Sequence, residues 1–475
     1  MPELIEDPTR TTKDPTGTTV KGRWRQLSLL GGALLVDNTE ASLISGLFPV
    51  IRQALGVSLG ALGILTAAGK IVGVLAGPLW VWVAQRWSRK GVLVLATGFW
   101  GAFGIAAGFA QDFTQLLVLC TVLAAGYAAA GPIATDVVGD LFDKKTRGRA
   151  IGMLYGGLAL ASSVFAALKG QLAGVEDGWR WGLWAIGALN VLFGIALWIW
   201  LRDPGRGASE HQLADLGRTV RETQTKVTRR QVAALFRIPS FVILLGSRLL
   251  SGHLLVGTFG VIFLVDAYGF SVQVASVVLL PMGIGYFAGT LLGGFLADWA
   301  SRRSPRHGLV AVLQAAQFTF GIVAYFGTQI DYGSIGLFAF FFALMGLAQG
   351  VNPGVNRPMV MAITPSELRG AAFAVYITVF EAIAWAAFSL GAGFLGDAVG
   401  LRVVFLWVLV ILMAVNGAFL GLLYRTYAQD VARVQRELDR RRAEALAGGG
   451  AASGAVAVGR VARGAQTRAG AETGR

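Results

Sequence analysis

The sequence predicts an all-α membrane protein with twelve transmembrane helices in two related halves of six. Hydrophobic residues make up 55% of its 475 residues and charged residues only 14%, whereas soluble globular proteins carry about 25% charged residues. Apolar runs recur along the chain at lengths near the roughly 20 residues that a helix needs to cross a bilayer. A pattern of residues in the first half also returns in the second half at a constant spacing.

Charged residues, glycines, prolines and turns divide the apolar runs into twelve expected spans. The first six are 27–51, 58–84, 91–110, 114–139, 150–172 and 181–201. The second six are 239–265, 273–297, 308–328, 334–362, 371–395 and 401–424. Five regions follow: a cytoplasmic segment 1–25, an N-terminal half 26–201, a cytoplasmic linker 202–238, a C-terminal half 239–424, and a cytoplasmic charged helix with a disordered tail, 425–475. The first run continues into a full span, which favours a retained helix over a removed signal peptide.

The positions of the basic residues predict the orientation of the helices. Lys and Arg cluster in the loops on the side of both termini, whereas acidic residues predominate in the loops on the other side. By the positive-inside rule, both termini are expected in the cytoplasm. The basic loop residues include Arg86, Arg89, Lys90, Lys144, Lys145, Arg302 and Arg303, and the acidic ones include Asp112, Glu176, Asp266, Asp331 and Asp397.

Residues in the two halves match at a constant offset of 213 positions. Residues 56–58 (Gly-Val-Ser) correspond to residues 269–271 (Gly-Phe-Ser), and Gln85 corresponds to Asp298 at the same offset. Six helices repeated in parallel orientation are the plan of transporters whose halves are related by an axis along the membrane normal. The repeat therefore favours a pseudo-symmetric transporter.

The loop after the eighth span carries the most specific motif. Residues 294–303 read Gly-Phe-Leu-Ala-Asp-Trp-Ala-Ser-Arg-Arg, which resembles the Gly-x-Leu-Ala-Asp-Arg-x-Gly-Arg-Arg loop of the major facilitator superfamily. The first-half copy, 81–90, has Gln85 where the family has Asp. The resemblance covers about 26–424 and implies the major facilitator fold and alternating access, with Asp298 as a latch on the amides of a neighbouring helix N-terminus. The expected gating residues are Arg86, Arg89, Asp298, Arg302 and Arg303.

Two further stretches narrow the resemblance. Residues 139–150 and 202–207 are similar to bacterial Spinster-like members of the superfamily, although Val122 occupies the place of an Arg in the fourth helix of that group. This resemblance implies an amphipathic small molecule or lysolipid as substrate and the bacterial inner membrane as the location. Val164 and Phe165 stand where drug antiporters carry Gly-Pro, which argues against a typical drug antiporter.

Ionisable and amide residues inside the expected spans mark the candidate site, because a charge in the bilayer centre costs about 2.5 kcal/mol or more. At a rise of ~1.5 Å per residue, Asp37, Lys70, Arg248, Asn352 and Glu381 reach similar depth near the bilayer centre. Five helices thus bring polar groups to one layer, which predicts a water-accessible central cavity. The expected substrate-binding residues are Arg248, His253, Asn352, Asn356, Arg357 and Asp136, and a packing role for His253 is equally open.

Two acids and one base on the first two helices predict a proton-coupling site. Asp37 and Glu40 are three residues apart and share a helix face, while the second helix returns Lys70 to similar depth. Two acids facing one base leave a surplus carboxylate that can take up a proton. A structural ion pair, or a pair of Lys70 with Glu381, is the alternative. The expected coupling residues are Asp37, Glu40, Lys70 and Glu381.

The expected function is secondary active transport, with proton-coupled export of an amphipathic small molecule or lysolipid. Proton-coupled import of a small organic anion, bound by Lys70, Arg248 and Arg357, is the alternative in the same class. A transport-inactive receptor or scaffold is the alternative from another class. The sequence lacks a phosphate-binding Gly-x-x-x-x-Gly-Lys motif and a metal-ligand spacing of its three histidines. We therefore expect a monomer in contact with lipids, with no enzyme activity, cofactor, metal or nucleic-acid partner.

Overall fold

The computed structural model of the protein describes residues 22–142, 146–203, 229–365, 368–437, 439 and 440. Within those residues, twelve helices are long and apolar enough to cross a membrane. They are α1 Arg23–Leu55, α2 Leu59–Arg86, α3 Arg89–Ala107, α4 Phe113–Leu141, α5 Arg149–Gly174, α6 Gly178–Trp200, α7 Pro239–Tyr268, α8 Val272–Arg303, α9 Gly308–Gln329, α10 Ile335–Ile363, α11 Arg369–Val399 and α12 Leu401–Leu420.

The predicted all-helical fold with twelve spans is confirmed within the described residues. A further helix over residues 423–437 follows α12, and it falls in the region for which a charged helix is predicted. Residues 1–21, 204–228 and 441–475, which hold most of the predicted N-terminal segment, linker and tail, lie outside the described residues.

The turns after α1 and α7 share one backbone conformation at positions that the repeat pairs. Gly56 ends α1 with a φ of 63° and Gly269 ends α7 with a φ of 68°. Both angles lie in the left-handed region, which glycine enters without the steric cost of a Cβ. The repeat in the sequence therefore corresponds to a repeat in the backbone.

Three spans contain π-helical turns, which often occur at functional sites. These turns occupy residues 94–99 in α3, 374–380 in α11 and 406–411 in α12. The turn in α3 contains Thr97, and the turn in α11 ends just before Glu381. Two of the three irregular turns thus lie beside candidate site residues.

Helix α7 is interrupted at mid-depth. Regular helix stops after Leu249 and resumes at Leu254. Gly252 lies in this gap against the backbone of Val408 on α12, where a side chain would overlap the neighbouring carbonyl group. The gap separates Arg248 from the second part of α7.

The two halves meet at the face that carries the α1–α2 and α7–α8 turns. There Arg52 forms an ion pair with Asp266 across the halves, with a distance of 2.8 Å. Helices α2 and α11 stay in contact from this face to Lys70 and Trp385 at mid-helix. Between Lys70 and the opposite face, no hydrogen bond, ion pair or ring contact joins the halves among the described residues. We call the first face the closed face and the opposite one, where Arg23 begins α1, the open face.

Candidate functional site

A cavity of about 310 Å³ lies at mid-depth in the C-terminal half, between α7, α8, α10 and α11. Its wall combines cationic, amide and aromatic side chains. The predicted site residues that border it are Arg248, His253, Asn352, Asn356, Arg357 and Glu381. Three residues of the polar layer predicted from helix depth, Arg248, Asn352 and Glu381, thus border one cavity, and this cavity lies in the C-terminal half alone.

Arg248 is held at the cavity wall by an ion pair with Glu381, which joins α7 to α11. Its guanidinium also lies 5.4 Å from the centre of the Tyr376 ring. The Nε group of Arg248 is buried and has no hydrogen-bond partner among the described residues. Because a guanidinium carries five N–H donors in a planar fork, Arg248 can donate to an anion in the cavity.

Arg357 on α10 is exposed at the same cavity and forms no ion pair with any described residue. Tyr286 and Tyr376 lie close enough for its charge to act on their hydroxyl groups. An arginine within a spanning helix that has no carboxylate partner is costly in a membrane unless water or a ligand compensates its charge. Arg357 therefore supplies an uncompensated positive charge to the cavity.

The two predicted asparagines of α10 differ in their roles. The Asn352 side chain accepts a bond from Gln317 on α9 at 2.6 Å and donates to Gln349 at 3.0 Å. Asn352 therefore joins neighbouring helices, whereas Asn356 is buried beside the cavity and its side chain forms no hydrogen bond with another described residue. The amide available to a ligand is that of Asn356.

His253 both borders the cavity and packs in the core. Its ring lies edge-on to Phe320, with ring centres 6.2 Å apart. Its Nδ1 atom is buried and has no hydrogen-bond partner among the described residues. The packing and ligand-binding roles predicted for His253 are both compatible with this position.

Asp37 and Glu40 are buried among side chains of the N-terminal half rather than in the cavity. Asp37 is 3% exposed and accepts a 3.2 Å bond from Thr97 on α3, and Glu40 is 1% exposed and accepts a bond from Asn190 on α6. Asp37 Oδ1 and Glu40 Oε1 are buried without a hydrogen-bond partner among the described residues, and the Tyr127 hydroxyl lies near Glu40. No described cation forms an ion pair with either acid. Two buried carboxylates without a cation suit proton binding, because burying both in the ionised form is expensive.

The space for the Glu40 carboxylate depends on a glycine of α3. A Cβ built on Gly104 would overlap Glu40 Oε1. The opposite side of the same carboxylate is occupied by Asn190. Gly104 and Asn190, neither of which was predicted from the sequence, therefore shape the site of Glu40.

Contrary to the prediction, Lys70 does not face Asp37 and Glu40. Its Nζ atom lies 3.6 Å from the centre of the Trp385 ring on α11, and the charge that acts on it is that of Glu381. Lys70 forms no ion pair with Asp37 or Glu40. The predicted grouping of three residues therefore divides into a buried acid pair and a lysine at the boundary between the halves.

Asp136, predicted to bind substrate, does not border the cavity. It lies 3.0 Å from Arg89, which also pairs with Asp140 at 2.5 Å and with Asp203. This cluster joins α3, α4 and the end of α6 at the open face. The assignment of Asp136 to the cavity was wrong because depth along a helix does not specify the direction of a side chain.

The predicted latch at the open face is not engaged in this conformation. Asp298 is exposed, and its carboxylate forms no hydrogen bond or ion pair with another described residue. Arg302 and Arg303 are exposed as well, and Arg86 lies over the Trp82 ring at 4.1 Å. Of the five predicted gating residues, Arg89 alone is buried, within its carboxylate cluster.

A carboxylate that sequence reasoning missed engages at the closed face. Asp397 on α11 accepts hydrogen bonds from the backbone amides of Leu59 and Gly60, each at 2.9 Å. It thereby caps the N-terminus of α2 across the boundary between the halves, where a negative charge is favourable. Nothing in the local sequence pairs Asp397 with α2.

Lys169 is a second residue that the sequence did not identify as part of a contact. It is buried on α5, and its Nζ atom donates to the Ser42 hydroxyl on α1 at 2.5 Å. No described carboxylate forms an ion pair with it. A buried ammonium whose partner among the described residues is a hydroxyl is weakly compensated.

Comparison with known proteins places the chain among transporters. It is 25% identical over 321 residues to a probable 4-methylmuconolactone transporter of Cupriavidus pinatubonensis, covering 64% of this chain and 71% of that protein. It is 30% identical over 190 residues to a 4-hydroxybenzoate transporter of Pseudomonas putida, covering 39% of this chain and 41% of that protein.

The fold is similar to that of a solved bacterial homolog of the human lysosomal transporter Spinster. The TM-score is 0.72 with 20% identity, and the match covers 86% of this chain and 98% of that one. The resemblance to the superfamily and to its Spinster-like members is confirmed. The family model for the Major Facilitator Superfamily matches residues 30–330, so the chain belongs to that superfamily and is an integral membrane transporter rather than an enzyme.

Proposed function

We propose that the protein is a proton-coupled transporter of an amphipathic organic anion. The observation that carries the proposal is Arg357, an exposed arginine of the cavity wall without a carboxylate partner among the described residues. A ligand with one anionic group would compensate Arg357 and accept from Arg248, while Tyr286, Tyr376 and Trp385 provide aromatic surface for its apolar part. The relatives named above, described as carriers of 4-methylmuconolactone and 4-hydroxybenzoate, are consistent with such a substrate.

The substrate class includes two kinds of molecule with the same chemistry. An aromatic carboxylate and an anionic lysolipid both combine a charged group with an apolar body. A cavity of about 310 Å³ can enclose the aromatic acid, whereas a lysolipid would have to extend its chain beyond the described wall. The geometry therefore favours the smaller anion, and the predicted lysolipid becomes the second arm of the experiment.

Proton coupling is assigned to Asp37 and Glu40. Two carboxylates one turn apart titrate as a pair, and their burial without a cation favours proton uptake by the pair when it faces the acidic side. Both acids contact α3 and α6, in the N-terminal half, whereas the cavity lies between α7, α8, α10 and α11. Proton and anion therefore do not compete for the same groups.

The separation of the two sites favours uptake over the predicted export. When a proton and an anion bind at different places, both can be carried in one step, which is symport. Export driven by the proton gradient requires antiport, which is most simply achieved when the two compete for one site. We therefore propose import by symport, and the predicted export is the competing outcome.

Orientation follows from the distribution of basic residues. We propose that both termini lie in the cytoplasm of a bacterial cell, so that the open face is cytoplasmic and the chain crosses the inner membrane. The basic side chains Arg86, Arg302 and Arg303 are exposed at that face, as the positive-inside rule requires. Reporter fusions after Arg440 should then read cytoplasmic.

The test is transport in liposomes with an imposed pH gradient, using radiolabelled 4-hydroxybenzoate in one arm and lysophosphatidylglycerol in the other. Arg357→Ala should lower the initial rate about 10- to 100-fold, because a hydrogen bond to a charged group contributes about 1.5–3 kcal/mol. Arg425→Ala, an exposed arginine outside the cavity, is the matched control. Equal rates for both variants would contradict the anion site, and accumulation with the gradient reversed would establish export.

A further inference from the structure

We propose that Lys70 links an anion in the C-terminal cavity to the packing of the two halves through an exchange of ion-pair partners. The anion takes the place of Glu381 at Arg248, and the released carboxylate pairs with Lys70 on α2. The inference rests on the proposed function, since it requires an anion in the cavity. Lys70 is then a positioning residue and does not bind the substrate itself.

Lys70 lies at the boundary between the halves and is not yet in an ion pair. Its Nζ atom is 3.6 Å from the centre of the Trp385 ring, and no described carboxylate lies within ion-pair distance. Trp385 is four residues after Glu381, so both side chains lie on one face of α11. Glu381 is close enough for its charge to act on Lys70.

In the described conformation Glu381 is paired with Arg248 and not with Lys70. It pairs with Arg248 at the cavity wall, and Arg248 keeps a free buried Nε group. A carboxylate ligand binds a guanidinium through two parallel hydrogen bonds, which would occupy the N–H groups that Glu381 uses. The remaining cation of the cavity, Arg357, faces the same ligand.

The released Glu381 carboxylate needs a new cation, because a buried charge without a partner is strongly unfavourable. Lys70 is the cation on α2 that its charge already reaches. The contacts between α2 and α11 now end at Lys70 and Trp385, and Glu381 is one helical turn nearer the open face. A pair between Lys70 and Glu381 would therefore extend the contact by about 6 Å along the helices and begin to close the open face.

Removing Arg248 tests the exchange without any ligand. Spin labels at Gln85 and Gly370, both exposed at the open face, report the separation of α2 and α11 in full-length protein with Cys120→Ser. A side chain at Gly370 meets no neighbouring atom. Arg248→Met frees Glu381 and should raise the population with the shorter distance about fivefold.

The double variant Arg248→Met with Lys70→Met should return that population to the level of the parent. Arg248→Met with Lys169→Met, which removes a buried lysine elsewhere, should keep the shorter distance. If Lys70→Met has no effect in the Arg248→Met background, the exchange is wrong. Size-exclusion profiles establish that each variant is folded.

Adding excess 4-hydroxybenzoate separates the exchange from the proposed substrate class. In the parent the probe should raise the short-distance population, and in Lys70→Met it should still bind, as measured by isothermal titration calorimetry, but leave the distances unchanged. Closure by the probe in Lys70→Met would overturn the exchange. If the probe leaves the distances of the parent unchanged while Arg248→Met still raises the short-distance population in a way that requires Lys70, the exchange stands and the proposed substrate class is wrong.

Discussion

Replacing Asp397 by Asn should weaken the closed face. The two carboxylate oxygens of Asp397 accept from the amides of Leu59 and Gly60, one each, whereas Asn has one acceptor oxygen and no charge. A capping interaction contributes about 0.5–2 kcal/mol, and a charge at a helix N-terminus about 0.3–1 kcal/mol. Because Asp397 is exposed, both contributions are taken at the low end of their ranges, and the substitution should cost the described conformation about 1 kcal/mol. That free energy corresponds to a change of about fivefold in the equilibrium between conformations.

The assay is a distance distribution between spin labels on the closed face. Glu176 in the N-terminal half and Asp331 in the C-terminal half are exposed in loops there, and Cys120→Ser removes the native thiol. Asp397→Asn should increase the population with separated labels about fivefold. Asp112→Asn is the matched control, because Asp112 also caps a helix at this face, at 2.8 Å from the Gln115 amide, but within one half.

The sign of the effect distinguishes the closed-face cap from the predicted latch at Asp298. The Asp298 carboxylate has no partner among the described residues in this conformation, so its latch would act in the alternative conformation. Asp298→Asn should therefore favour the described conformation, and Asp397→Asn should disfavour it. Shifts in the same direction, or an unchanged distribution in Asp397→Asn, would refute the reasoning.

Three further substitutions test the buried polar groups. Gly104→Ala should abolish proton-driven accumulation of substrate in liposomes, because the added methyl group overlaps Glu40 Oε1 and overpacking costs about 1–3 kcal/mol. The control is Gly73→Ala, where an added Cβ meets no atom, and this variant should accumulate substrate like the parent. Arg89→Met should lower the melting temperature in detergent, since breaking a buried ion pair costs about 3–5 kcal/mol and its partly exposed partners place the loss at the low end. Lys169→Met should raise the melting temperature without loss of transport, and a transport defect would show that this lysine is functional.

The fold could be predicted from sequence because a spanning helix satisfies its own backbone hydrogen bonds. Length and hydropathy of each run therefore identify a span without knowledge of its neighbours. The ends of the spans were less accurate: the first helix was predicted over 27–51 and extends over Arg23–Leu55, because a helix can continue beyond the hydrocarbon layer. The interruption of α7 was not predicted, although residues 250–253 read Leu-Ser-Gly-His and include a glycine, which disfavours helix.

The site could be predicted in composition but only partly in arrangement. Depth along each helix placed Arg248, Asn352 and Glu381 in one layer, and they border one cavity. The direction of a side chain around its helix depends on how that helix is rotated against its neighbours. This is why Lys70 was assigned to the acids of α1 and in fact faces Trp385, and why the cap formed by Asp397 could not be foreseen.

The repeat relates the different polar residues of the two halves to one backbone plan. At the offset of 213 residues, Asp37 and Glu40 correspond to Leu250 and His253, and Arg248 corresponds to Leu35. The positions of the acid pair in α1 thus coincide with the interruption in α7. In α1 the helix continues, and its acids contact α3 and α6 inside the N-terminal half. In α7 the helix is broken, and Arg248 at its edge reaches the cavity and Glu381. Because one backbone plan carries acids in one copy and arginine in the other, the proposed proton and anion sites lie in separate halves, and the proposed exchange at Lys70 would make one site respond to the other.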